Sequence, residues 1–352
     1  MYDILLSFLT AFSVTYVVIP PIIRIAIAKN LCDVPGVRSS HTTNTPRLGG
    51  IAIFAGLLFA IIFWTPFKDF GNLQYILCAF IVIFLIGAKD DMEMLSPSKK
   101  LIGELLAAAI LVFKSNVKLT SLYGIFGVYD IPDWFAIPFS VFIIIVIINA
   151  FNLIDGINGL SGSIGTLIAL FLGMWFYLTG NTVLAIIAFA LAGAIIAFLK
   201  FNYTPAKIFM GDTGTLLVGL VSSILTIKFI ELHKGLENSP YAFKSAPALA
   251  VSLLIFPLFD TLRVFVLRAM KNQSPFQPDR LHIHHLLIDS GMTHMQATGI
   301  LVLVNSCFMI LAFTLQDIGT LNLLLILLTI AVVLSGILFT FASSQKKFDK
   351  FL

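Results

Sequence analysis

Charge is the scarcest property of this chain. Only 11% of its 352 residues are Asp, Glu, Lys or Arg, where a soluble domain carries about 25%. That deficit excludes an ordinary soluble globular protein. With 59% hydrophobic residues and a mean hydropathy of +1.00, the chain reads instead as a polytopic membrane protein. Cysteine is equally sparse. Cys32, Cys78 and Cys307 stand far apart with no metal-type spacing, which argues against disulfides and thiol chemistry. A net charge of +4 gives no support for nucleic-acid binding. The opening MYDILL lacks the basic leader of a cleaved signal peptide, so the first span is expected to be retained. No internal repeat is apparent.

Long apolar runs are what the chain has in abundance, and its 33 phenylalanines suit lipid-facing helices. Runs near the ~20 residues needed to cross hydrocarbon recur throughout. They predict an all-α, polytopic integral membrane protein forming a single transmembrane domain over 1–352. About eleven spans are expected, near 3–28, 48–66, 72–88, 101–117, 134–151, 159–178, 182–199, 213–231, 246–267, 296–315 and 320–342. An odd number places the termini on opposite sides. The basic tail SSQKKFDKFL is expected in the cytoplasm. Fourteen lysines and arginines then fall on its side and five on the other.

The same parity brings every unusual polar stretch to the cytoplasmic face. These are RSSHTTNTPRLGG (38–50), GAKDDMEMLSPSKK (87–100), NAFNLIDGINGL (149–160), KFNYTPAKIFMGDTG (200–214) and PDRLHIHHLL (278–287). One site assembled from several loops is the expectation. Asp90 and Asp91 follow span three, where the helix macrodipole is already negative. They read either as a solvated helix end or as a pair relieved by a cation, namely Mg²⁺ or Lys99 or Lys100. Asn149, Asn152 and Asp155 recur every three residues on one helical stripe. Interhelical hydrogen bonding is the alternative to a functional role for the asparagines, and it suits Asn149 better than Asn152. Asp155 is harder to explain so, because an ionisable residue near membrane depth points to function.

Asp212 precedes span eight and reads as an N-cap. Alternatively, Gly211 and Gly214 let backbone amides there approach a phosphate. His282, His284 and His285 are a weak zinc signature without nearby cysteine. With Arg280 they suit an anion such as a diphosphate, and His282 and His285 are expected on one helical face. His233 and His294 read as surface residues. Arg47, before Gly49 and Gly50, is a phosphate contact or a positive-inside anchor, and His41 is a weaker candidate.

At these residues the chain resembles the polyprenyl-phosphate N-acetylhexosamine-1-phosphate transferases, the group containing WecA, TagO and MraY. The motifs are TPRLGG (45–50), Asp90–Asp91, NAFNLIDG (149–156), FMGDTG (209–214) and DRLHIHHLL (279–287), in the family's order. The last is more similar to the WecA/TagO branch. The resemblance implies an α-helical enzyme of the bacterial inner membrane. It would move a sugar-1-phosphate from a UDP-N-acetylhexosamine, by default UDP-GlcNAc, to undecaprenyl phosphate and release UMP. Mg²⁺ would be required, with Mn²⁺ as its substitute. The implied roles are catalysis at Asp90 and Asp91, metal ligation at Asp212, and substrate binding at Asn152, Asp155, His282, His284 and His285. Arg47, Asn149 and Arg280 are further candidates for substrate binding. Many relatives have Asp where this chain has Asn158, so no essential carboxylate is assigned there. Direct attack by the lipid phosphate, with Asp90 as base, is expected over a covalent aspartyl route. A transporter is the alternative of another class, but it favours paired half-sites from repeats. Which sugar is used, and whether a homodimer forms, is left open.

Overall fold

The computed structural model describes residues 1–33, 44–236, 239–273 and 281–348, with side chains to 341. Thirteen α-helices are found among them: α1 (Tyr2–Ala28), α2 (Gly49–Trp64), α3 (Leu73–Met92), α4 (Pro97–Lys114), α5 (Asp133–Ile154), α6 (Leu160–Leu178), α7 (Thr182–Asn202), α8 (Gly211–Leu232), α9 (Ala246–Leu253), α10 (Ile255–Met270), α11 (Ile283–Asp289), α12 (His294–Thr314) and α13 (Thr320–Phe348). The strands are short. β1 (Cys32–Asp33) pairs antiparallel with β2 (Thr45–Pro46), and β3 (Ser121–Ile125) with β4 (Val128–Asp130).

Eight helices are long and apolar enough to cross a bilayer, or nine if α9 and α10 count as one broken span. The protein is therefore multi-pass, but the expected count of eleven is not established. α2 has only 16 residues, and α4 carries Lys99, Lys100, Glu104 and Lys114. Burial separates hub from rim. In α8, 83% of the apolar stretch is covered by other helices, against 17% in α13. The hub is made close by glycine. A Cβ at Gly219 of α8 would lie 2.7 Å from the Ile148 Cα of α5, a separation no side chain tolerates.

Three boundaries differ from the sequence expectation, and each difference moves a polar residue. α3 runs on to Met92, so Asp90 and Asp91 lie in its last turn rather than beyond it. α5 continues to Ile154, leaving Asp155 as its C-cap. Span nine is two helices bent by 76° at Leu254. Pro257 contributes to that break, since it has no N–H to return to the Leu253 carbonyl. Asn305 of α12, fully buried, repairs the loss. Its amide donates to Leu253 O at 3.1 Å and accepts from Phe256 N at 3.2 Å. Freed backbone groups at membrane depth need such a partner.

At one end of the bundle the β3–β4 hairpin docks on the C-terminal end of α8. There Glu231 accepts from the Thr120 amide and hydroxyl, both at 2.7 Å. The opposite end gathers the polar motifs.

Candidate active site

The site is organised around the first turn of α8. Its N-cap position is Met210, which has no side-chain acceptor to offer. A helix start leaves backbone N–H groups without intrahelical partners. Asp91 of α3 answers them from across the interface. Its carboxylate accepts from Asp212 N at 2.7 Å, Thr213 N at 2.9 Å and Thr213 Oγ1 at 2.5 Å. Asp212 is thus the second residue of the helix, and its cap is another residue. Asp91 thereby engages two of the amides at this helix start, those of Asp212 and Thr213.

The TPRLGG motif grips the same turn from the other side. Phe209 N donates to Pro46 O at 2.7 Å, Gly49 N to Phe209 O at 3.0 Å and Gly50 N to Met210 O at 2.8 Å. Gly211 has φ +70°, a conformation glycine adopts without steric penalty. The resulting approach is at backbone level, since a Cβ at Gly50 would sit 2.6 Å from the Gly214 Cα.

With Asp91 committed, Asp90 turns elsewhere. It accepts from Leu95 N at 2.6 Å and from Lys100 Nζ at 3.2 Å. The Lys100 ammonium also bonds Asp212. The repulsion foreseen at the carboxylate pair is therefore relieved by Lys100, one of the cations weighed for it. Asn152 completes the bridge. Oriented so that both ends are paired, its nitrogen donates to Asp212 Oδ1 and Thr215 Oγ1, each at 2.9 Å, and its oxygen accepts from Lys100 at 3.1 Å. Asn149 reaches a carboxylate beside this group, donating to Glu104 Oε2 at 2.6 Å and to Ile145 O at 3.0 Å.

A cavity of about 410 Å³ opens beside this cluster. Arg47, Asn152, Asp155, Asn158, Asp212, His285 and His294 are among the residues lining it. Arg47 is paired with Asp33 of β1 at the cavity wall. Asp155 accepts from the Ser161 hydroxyl. Loss of water around the Asp155 carboxyl pushes it up to about 7, against the Ser161 bond and helped by the Asp212 and Asp91 charges. Asn158 donates to Thr204 Oγ1 at 2.9 Å, and its backbone carbonyl accepts from Thr298 at 2.8 Å.

The histidine rings pack in series, His282 on His284 with centroids 5.7 Å apart and His284 on His285 with centroids 4.2 Å apart, but their partners differ. His282 is the N-cap of α11 in extended conformation, so it shares no helical face with His285. Its Nδ1 bonds Asp260 Oδ2 at 2.9 Å, and Asp260 Oδ1 accepts from Ile283 N at 2.9 Å. His284 is buried against the α5–α6 turn, where a Cβ on Gly156 would collide with its ring. Only His285 of the three is among the residues lining the cavity. Arg280 and His41 lie outside the described residues. Of the two histidines read as surface residues, one is not. His233 is buried, stacked on Trp175 with ring centroids 4.6 Å apart. His294 lines the cavity, because the start of α12 packs over the α5–α6 turn.

Sequence reasoning passed over Asp33, Glu104, Asp260 and Ser161. Glu104 and Asp260 carried a usable signal, since each is an ionisable residue within an apolar run. Asp33 and Ser161 carried none, being ordinary polar residues near loops.

Comparison with known proteins gives this arrangement a class. A family model described as Glycosyl transferase family 4 matches residues 73–230, which include four of the clustered carboxylates, Asp90, Asp91, Asp155 and Asp212. The chain is 29% identical over 323 residues to the "Probable undecaprenyl-phosphate N-acetylglucosaminyl 1-phosphate transferase" of Bacillus subtilis (strain 168), covering 90% of this chain and 86% of the relative. It is 30% identical over 288 residues to the "Undecaprenyl-phosphate alpha-N-acetylglucosaminyl 1-phosphate transferase" of Salmonella typhi, covering 80% and 75%. It is 31% identical over 316 residues to the "Decaprenyl-phosphate N-acetylglucosaminephosphotransferase" of Mycobacterium tuberculosis (strain CDC 1551 / Oshkosh), covering 84% and 78%. The class is a membrane-embedded phosphoglycosyltransferase. The chain belongs to glycosyl transferase family 4, with relatives of the WecA type over most of its length.

Proposed function

We propose that this enzyme transfers N-acetylglucosamine-1-phosphate from UDP-GlcNAc to undecaprenyl phosphate, releasing UMP, as the first membrane step of a cell-envelope glycan. The names of the three relatives support the donor sugar and the polyprenyl acceptor. The observation that carries the reading is the convergence of Asp90, Asp212, Asn152 and Lys100 beside a polar cavity at the end of an apolar bundle. A water-soluble dianion and a lipid phosphate meet only at such a boundary. The positive-inside asymmetry argues that this end faces the cytoplasm of an inner membrane, with the N-terminus outside.

The donor set suits Mg²⁺. Among the described residues no three His, Cys, Asp or Glu side chains form a metal-binding group. Mg²⁺ usually binds through one or two carboxylates, waters and substrate phosphates. Asp212 is the side chain that would hold it. When bound it would neutralise charge on the diphosphate. The protein's own groups do the rest. Arg47 and His285 attract and orient the donor's phosphates in the cavity. Asp90 takes the residual proton of the lipid phosphate at a carboxylate oxygen, with Lys100 offsetting the charge. A lipid phosphate oxygen then attacks the donor's β-phosphorus, the bond to the bridging oxygen breaks, and UMP leaves. A phosphate monoester is largely ionised near neutral pH, so alignment supplies most of the acceleration.

Purified protein should release UMP from UDP-GlcNAc only when undecaprenyl phosphate is present, and faster than from UDP-GalNAc. Release without the lipid, or none with any UDP-sugar, overturns the reading. For orientation, a Ser290→Cys variant in intact cells should resist a membrane-impermeant thiol reagent that modifies Leu236→Cys, with both native exposed cysteines replaced beforehand. The reverse pattern reverses the topology.

A further inference from the structure

We propose that Asp91 is a positioning residue, a helix cap delivered from α3 that fixes the first turn of α8 and thereby aims Asp212. The kinetic part of this inference rests on the transfer reading above. The cap itself does not.

Three observations meet here. First, both carboxylate oxygens of Asp91 are engaged by the donors of one helical turn, Oδ1 by Asp212 N and Oδ2 by Thr213 N and Oγ1. A carboxylate taking several such bonds sits in a fixed orientation, set by backbone that cannot rotate away. Second, α8 has no cap of its own at Met210. Removing Asp91 would strand two amides and a hydroxyl at a partly buried helix start, where unpaired donors are costly. Third, the two helices are built to meet here. Gly87 lies one turn below Asp91 on α3, and a Cβ there would stand 2.7 Å from Thr213 N.

The adjacent Asp90 makes the contrast. Successive side chains on a helix diverge by about 100°, so the pair divides between two tasks. Asp91 turns to the α8 backbone, while Asp90 meets the Lys100 ammonium that also bonds Asp212. Only Asp90 retains a partner that can exchange with substrate charge. Asp91 acts on the reaction through the position of Asp212, whose own amide it holds.

Thr213 provides the test, because it touches the cap and leaves the Asp91 carboxylate in place. If Asp91 positions, Thr213→Val should lower kcat about tenfold, in line with a lost hydrogen bond to a charged group. It should also raise the half-saturating Mg²⁺ concentration, with the KM for UDP-GlcNAc within about twofold of wild type on the same ground. Thr213→Ser should restore both. Asp91→Asn, which keeps one acceptor oxygen for the α8 amides, should retain measurable turnover. A wild-type kcat and Mg²⁺ requirement in Thr213→Val, beside complete loss in Asp91→Asn, would overturn the proposal and make Asp91 a catalytic residue. A second readout needs no substrate. In thermal unfolding of the detergent-solubilised protein, Asp91→Ala and Thr213→Val should be less than additive when combined, because each breaks the same contact. Full additivity overturns the cap. Failure of the wild type to release UMP would overturn the transfer reading alone, and the unfolding cycle would still decide the cap.

Discussion

Asp91 and Asp260 do the same thing in two different places. Each is a carboxylate on one span that accepts backbone N–H bonds at the start of another helix, α8 for Asp91 and α11 for Asp260. Each helix carries cavity-lining residues, Asp212 in the first and His285 in the second. Their surroundings differ. Asp260 is wholly buried and has the His282 ring as its partner. Asp91 sits among like charges, with Asp212 next to the atoms it binds. A dry carboxylate needs a dedicated partner, whereas one at a polar boundary can rely on three short donors and the favourable end of the α8 dipole. The difference suggests that the α11 anchor serves stability and the α8 anchor serves aim.

The sharpest break in that comparison lies at the charge the α8 anchor delivers. Asp212→Asn should reduce UMP release by about a hundredfold or more, the loss expected when a carboxylate beside reacting phosphates loses its charge. Its thermal midpoint should stay near wild type. A variant with near-normal turnover would show that aiming Asp212 serves no chemical purpose.

Next in size is the α11 anchor. Asp260→Ala leaves His282 and the Ile283 amide unpaired in a buried site, and should cost about 3 kcal/mol of stability. Asp260→Asn keeps one acceptor and should cost less. Denaturant unfolding in mixed micelles measures both, and equal losses would deny the hydrogen-bond account.

A third test uses pH to probe the carboxylate at the cavity wall, Asp155. Asp155 stands at about 7 in the fold against 3.8 for the free group. The fold therefore favours its protonated form, and the unfolded chain gives up this proton first. Its contribution to stability is intact below about pH 4 and declines as pH rises to about 7, by linkage. Asp155→Asn should flatten that part of the stability profile and unfold later than wild type above pH 7. An unchanged slope would mean that Asp155 ionises freely.

The smallest effect belongs to the far end of the bundle. Thr120→Val removes one bond to Glu231 and should cost about 1 kcal/mol. UMP release should be unaffected. A loss of activity there would show that the hairpin end and the polar end are coupled, and that the two carboxylate anchors are not the controlling features.

Much of this could be read from residue order, and the failures share one cause. Asp90, Asp155, Asp212 and Arg47 stood out because a polar residue in an apolar context is conspicuous. Glu104 and Asp260 deserved equal notice on that criterion and were absorbed into the spans containing them. The histidines misled because the spacing of His282 and His285 suggested one helical face, whereas the chain at His282 is extended and the helix begins one residue later. The bend between α9 and α10 left only Pro257 as a trace, and its repair by Asn305 bridges 49 residues.

Residue order by itself determined the membrane class, the approximate helical segments and the gathering of polar motifs at one end. These follow from hydrophobicity and span parity, which are local and additive along a chain. Tertiary structure alone decided the pairings. Asp91 and the Asp212 amide are 121 residues apart, and Lys100 and the Asp212 carboxylate 112. Which carboxylate caps a helix and which meets a lysine depends on the direction each side chain leaves its helix and on which backbone the glycines allow close. That geometry exists only once the helices have packed.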